Sequence, residues 1–135
     1  MKRNPFIYAA AVLAVMVLGL LSRRFPDFLP AALGKYPGDA LWALMIFCGL
    51  GFLRPKLPTT FTAITALAFA CAVEFLKFYQ SPWLESVRAT LPGRLMLGSV
   101  FSWKNIAAYA IGIFFGWAVE TGIKKCLIRC RPPRQ

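Results

Sequence analysis

The chain has 135 residues, 59% of them hydrophobic and 16% charged, with mean hydropathy +0.60, formal net charge +11 and no histidine. A soluble domain carries about 25% charged residues, so the composition argues against a water-soluble globule, and the missing histidine removes His-based catalysis. The basic residues sit at the ends of apolar runs, where they neighbour lipid phosphates, and do not form the single basic face that a nucleic-acid partner needs.

After a short basic start, Pro5 to Leu21 is an uninterrupted apolar run long enough to begin crossing a bilayer. Ser22-Arg23-Arg24-Phe25 follows with no small-residue cleavage site, so this reads as an uncleaved first span, about 5–21. Ala10, Ala14 and Gly19 form a small-residue face suited to close helix packing. Ser22 to Pro37 is broken by prolines and a glycine and reads as a loop that keeps Phe25, Phe28 and Leu29 at the interface. Gly38-Asp39 opens the second span, about 37–53, with Asp39 placed to cap it and Trp42 in the aromatic belt.

Arg54-Pro55-Lys56-Leu57-Pro58 is a tight basic turn, and Thr59 stands as N-cap of a third span, about 60–79. The connection from Gln80 to Trp103 is long. Trp83, Leu84, Val87 and Leu91 recur within it at near-helical spacing, which predicts a short interfacial or re-entrant helix ended by Leu91-Pro92-Gly93. The fourth span, about 105–123, carries Gly112 and Gly116 as a GxxxG pair, and residues 124–135 form a basic tail. The expected fold is therefore a single all-α integral membrane domain over residues 1–135, a four-helix bundle with a short helix between helices three and four. One side collects nine basic residues and the other seven, a bias that puts both termini in the cytoplasm and the long connection outside.

Glu74 is the residue that asks for an explanation. An ionisable group in a membrane-length helix costs several kcal/mol unless it is paired, so it marks a functional site by default. Lys77 lies one turn on, at i,i+3, where it can hold the carboxylate ionised. Arg23, Arg24, Arg88 and Arg94 fall on the same side as Glu74, and guanidinium groups recognise phosphate and carboxylate bidentately. With Trp83, Trp103 and Tyr109 beside them, they describe a lipid head-group or anionic-substrate pocket; Asp39, Trp42 and Asn105 complete the candidate set. Each arginine also has the simpler role of anchoring to lipid phosphate, and Asn105 that of capping. Glu120 with Lys124 is an i,i+4 pair read as structural. Cys48 and Cys71 lie inside spans, and Cys126 and Cys130 lie beyond the last one without further ligands, so no metal or cofactor is expected.

Gly38-Asp39-Ala40-Leu41-Trp42, Glu74 with Pro82-Trp83-Leu84 and Arg88-Ala89-Thr90, then Leu97-Gly98-Ser99-Val100-Phe101-Ser102-Trp103, Tyr109 and Gly112 resemble an uncharacterised family of small bacterial membrane proteins, domain of unknown function 2809. The wider pattern is similar to the VanZ-like group of envelope proteins. The resemblance implies four spans, a bacterial cytoplasmic-membrane location and an association with the cell envelope, with no established catalytic activity. Lys77 stands where the family pattern usually has Gln, and Asn105 where it usually has Asp, which weakens a shared proton-transfer role and leaves binding intact.

The leading expectation is an outward-facing polar pocket that binds a membrane lipid or a lipid-linked anionic ligand. The alternatives are an enzyme on a lipid-linked substrate with Glu74 as general base, and a non-catalytic assembly partner that pairs with itself or with another membrane protein.

Overall fold

The computed structural model describes residues 2–98 and 100–130, and these fold entirely as helices and turns. The helices are α1 (Pro5–Arg24), α2 (Tyr36–Leu53), α3 (Thr59–Leu76), α4 (Pro82–Ala89), α5 (Leu91–Leu97) and α6 (Trp103–Arg129), with one 3-10 turn at Pro26–Phe28. Four of them, α1, α2, α3 and α6, are long and apolar enough to cross a membrane. The chain is thus a membrane protein by the length and composition of its helices. Arg131 and Arg134 of the expected basic tail and Ser99 of the resembling motif lie outside the described residues.

Local chemistry explains most of the boundaries. Asn4 caps α1 by accepting from the Phe6 amide at 3.0 Å, and Pro5 opens the helix where its missing N–H costs nothing. Helix α2 begins at Tyr36, so Asp39 sits a turn inside it and is not its cap. Thr59 is likewise the first residue of α3, with Pro58 as the flanking residue, and its hydroxyl is turned to another task described below. Helix α3 stops at Leu76, three residues short of the expected end, which places Glu74 in its last turn. The expected short helix is in fact two. Thr90 ends α4 and caps α5 through the Gly93 amide, and Pro92 belongs to the first turn of α5 where it had been expected to break a helix. Helix α6 runs six residues past the expected limit, to Arg129, and Cys126 is helical as a result.

The buried face of α3 is a strict fourth-residue series, Thr62, Ala66, Ala70 and Glu74, and small side chains there bring α3 close to α2 and α6. On α6 the inward stripe runs from Asn105 through Tyr109, Gly112 and Gly116 to Glu120. Gly112 and Gly116 are a packing seam: a Cβ built on Gly112 would stand 2.1 Å from the Ala40 carbonyl oxygen of α2. Phe47 and Ala43 of α2 and Ile113 of α6 fill the centre. Helix α1 has no buried residue of its own and lies against this core mainly through α2. Ala10 and Ala14 are exposed, and the side of α1 that packs is Tyr8, Ala11 and Val12, with Gly19 beyond them, so the expected small-residue face is not the contact.

A buried glutamate closes the core at each end. At the first end Glu120 Oε1 accepts from Arg3 at 2.9 Å and from the Thr59 hydroxyl at 2.7 Å, and Lys124 pairs with it from the next turn. The same Arg3 donates to the Leu57 carbonyl at 2.7 Å and to Thr62 at 3.1 Å, clasping the chain before α1 onto α3 and α6. At the second end stands Glu74. Fifteen residues separate Asn105, a partner of Glu74, from Glu120, about 22 Å of helix at 1.5 Å per residue. That separation fits within the roughly 30 Å hydrocarbon core of a bilayer. Arg3→Ala is expected to destabilise the fold by about 1–2 kcal/mol, less than loss of a sole partner, because Lys124 still neutralises Glu120. Unfolding midpoints in a mild detergent measure this.

Candidate functional site

Four segments converge at the second end: the last turn of α1, the first turns of α2, the last turn of α3 and the first turns of α6. Glu74 is fully buried there and accepts four hydrogen bonds. Oε2 takes Lys77 Nζ at 2.6 Å and the Tyr109 hydroxyl at 2.8 Å. Oε1 takes the Ser102 amide at 2.8 Å and Asn105 Nδ2 at 3.0 Å. One carboxylate thus holds the end of α3 to the start of α6, and its desolvation is met by a paired cation and three dipoles. Asn105 is not a cap: Ser102 flanks the helix, and the Asn105 side chain is committed to Glu74.

Beyond this floor is a chamber of about 300 Å³. Arg23 and Asp39 form one wall, joined at 3.2 Å. Trp42 and Tyr109, with ring centres 5.1 Å apart, form another, so Trp42 faces the interior and not the aromatic belt. Lys35 and Arg94 stand at its sides, and α5 with Gly98 roofs it. Gly98 has φ +60°, a left-handed conformation natural to glycine, and a Cβ there would meet Lys77 Nζ at 3.2 Å. The roof therefore lies directly on the cation that pairs with Glu74.

Of the arginines singled out in the sequence, Arg23 and Arg94 line the chamber. Arg24 is exposed and stays out of it. Arg88 donates to the Leu76 carbonyl at 2.9 Å and so ties α4 to the carbonyl end of α3, where a cation complements the helix dipole. Trp83 and Trp103 do not reach the chamber either: they are 64% and 71% exposed. Trp103 packs with Phe75 and Phe101, and Phe78 joins them through Phe101, in an outward aromatic cluster, the arrangement of an interfacial anchor. Lys35 and Leu95, Met96 and Leu97 of α5 are chamber residues that the sequence had not placed there, and Lys77, expected as the partner of Glu74, lines it as well.

Three buried polar atoms of residues lining the chamber have no partner among the described residues: Asp39 Oδ2, Asn105 Oδ1 and Trp42 Nε1. Two are acceptors and one is a donor. Native structures leave few such groups, so the chamber offers an unfilled pattern of hydrogen bonds as well as charge. For a metal ion the set is poor: the Glu74 oxygens are occupied, and among the described residues no three metal-ligating side chains come together.

Comparison with known proteins gives one family. A family model described as a protein of unknown function, DUF2809, matches residues 28–113, well over half of the chain, and the chain belongs to that family. The match takes in every candidate residue except Arg23 and Arg24, and leaves out Arg3 and Glu120 at the other end. No solved structure matches the chain.

Proposed function

We propose that this member of a family without an assigned activity is a membrane protein that binds the anionic head group of a lipid, or a lipid-linked ligand of the same chemistry, in the chamber above Glu74. The observation that carries this reading is a charge imbalance. Arg23 is paired with Asp39 and Lys77 with Glu74, while Lys35 and Arg94 line the same space with no carboxylate partner among the described residues. Two free cations beside a donor indole suit a phosphate group.

The distribution of basic residues supports a chamber facing outward from a bacterial cytoplasmic membrane, with both termini in the cytoplasm. The VanZ-like resemblance supports a role at the cell envelope. In this reading Glu74 is a positioning residue. A general base needs an oxygen free to take a proton, and here both oxygens already accept two hydrogen bonds each beneath Lys77. Binding therefore accounts for the geometry better than catalysis.

The test is retention of phosphatidylglycerol by the full chain in native mass spectrometry. The Lys35→Ala/Arg94→Ala double variant is expected to retain it roughly thirtyfold less, at about 1 kcal/mol per basic residue near a phosphate. Equal retention by the variant and the parent contradicts the reading.

A further inference from the structure

The polar chamber adjoins an apolar groove of about 320 Å³ between α1 and α5. Val15, Met16 and Leu20 of α1 form one bank, Leu41 and Met45 of α2 the floor, and Leu95 of α5 the other bank. The two spaces share Arg23, Trp42, Leu95 and Met96, so a cationic compartment and an apolar one meet across a single indole. The bank on α1 belongs to the one membrane-length helix with no buried residue of its own. The apolar lining of the groove suits an acyl chain, and the charged lining of the chamber suits a head group.

Resting on the head-group reading above, we infer that the ligand is a phospholipid with a hydroxyl-bearing anionic head, and that it reaches the site laterally from the bilayer with one acyl chain lying in the α1–α2–α5 groove. The four lining residues that the two compartments share favour an amphiphile, since a water-soluble anion would leave the groove unused. The unpartnered atoms fix the head. Asp39 Oδ2 and Asn105 Oδ1 require hydroxyl or amine donors, and Trp42 Nε1 requires an acceptor. The excess of lysine and arginine around them disfavours an ammonium group and leaves the hydroxyls of a polyol phosphate. The phosphate then meets Lys35, Arg94 and the Trp42 N–H, and the polyol hydroxyls meet Asp39 and Asn105.

Val15→Trp and, separately, Met16→Trp fill the groove from positions of α1 outside the buried core and outside its packing side at Tyr8, Ala11 and Val12, so helix content and elution are expected to match the parent. Each variant is assayed as the full chain for retention of dioleoyl-phosphatidylglycerol and dioleoyl-phosphatidylethanolamine, and for binding of soluble glycerol phosphate. The expected result is at least a fivefold loss of phosphatidylglycerol retention in both variants with glycerol phosphate binding unchanged, and a clear preference of the parent for phosphatidylglycerol over phosphatidylethanolamine. Unchanged phosphatidylglycerol retention in the groove variants, with loss in Lys35→Ala/Arg94→Ala, overturns the acyl-chain seat while the head-group reading survives. Equal retention of both lipids by the parent overturns the hydroxylated head. Insensitivity of retention to both kinds of variant removes the head-group reading as well.

Discussion

Glu74→Ala is expected to cost about 3–5 kcal/mol of stability, read as a lowered unfolding midpoint in a mild detergent, because it breaks a buried ion pair by removing one partner. Lys77 is left buried and unpaired, and the Ser102 amide, Asn105 Nδ2 and the Tyr109 hydroxyl lose their common acceptor. Removing both charges together is a different experiment. Glu74→Gln combined with Lys77→Met keeps an amide oxygen for the donors from α6 and leaves no stranded cation. That pair is expected to recover more than half of the loss, since a buried ion pair replaced as a unit is often nearly neutral. A Glu74→Ala protein within about 1 kcal/mol of the parent would mean that the four hydrogen bonds do not hold α3 to α6.

The second large effect is expected at the α2–α6 seam. Gly112→Ala places a methyl 2.1 Å from the Ala40 carbonyl oxygen and 2.8 Å from its carbon, and backbone cannot turn aside as a side chain can. Overpacking ordinarily costs about 1–3 kcal/mol, and a clash with main chain belongs at or above the top of that range. The same displacement separates Asp39 and Trp42 on α2 from Asn105 and Tyr109 on α6, so phosphatidylglycerol retention is expected to fall together with stability. Gly122→Ala on the same helix meets nothing within 4 Å and is expected to be neutral or to stabilise by roughly 0.5–1 kcal/mol through helix propensity. If the two alanines behave alike, close approach of the helices is not what glycine supplies at position 112.

The four membrane-length helices were legible because apolar length is a strong and local signal. The Glu74–Lys77 pair was legible for a similar reason, since i,i+3 neighbours share a helix surface. The convergence of Glu74 with Asn105 and Tyr109 could be anticipated only in part. Asn105, Tyr109 and Gly112 mark one face of α6, but which helix meets that face is decided by packing. Extending the same stripe would have carried it to Gly116 and Glu120, and so exposed Glu120 as a buried acid in need of a partner. Arg3, its partner, precedes the first helix and has no periodicity to betray it. Trp83 and Trp103 were drawn into the site by residue type alone. Their helices turn them outward, and the chamber takes Lys35 before α2 and the segment Leu95 to Gly98 instead, which only the packing of these segments could reveal.

The most direct test of the account is a density map of the chain reconstituted in phosphatidylglycerol nanodiscs. The account predicts phosphate density between Lys35, Arg94 and Trp42, above an intact Glu74–Lys77 pair, continuous with one acyl chain between α1 and α5. A chamber closed by its own side chains, with lipid ordered only around the outer aromatic cluster of Phe75, Phe101 and Trp103, would contradict it.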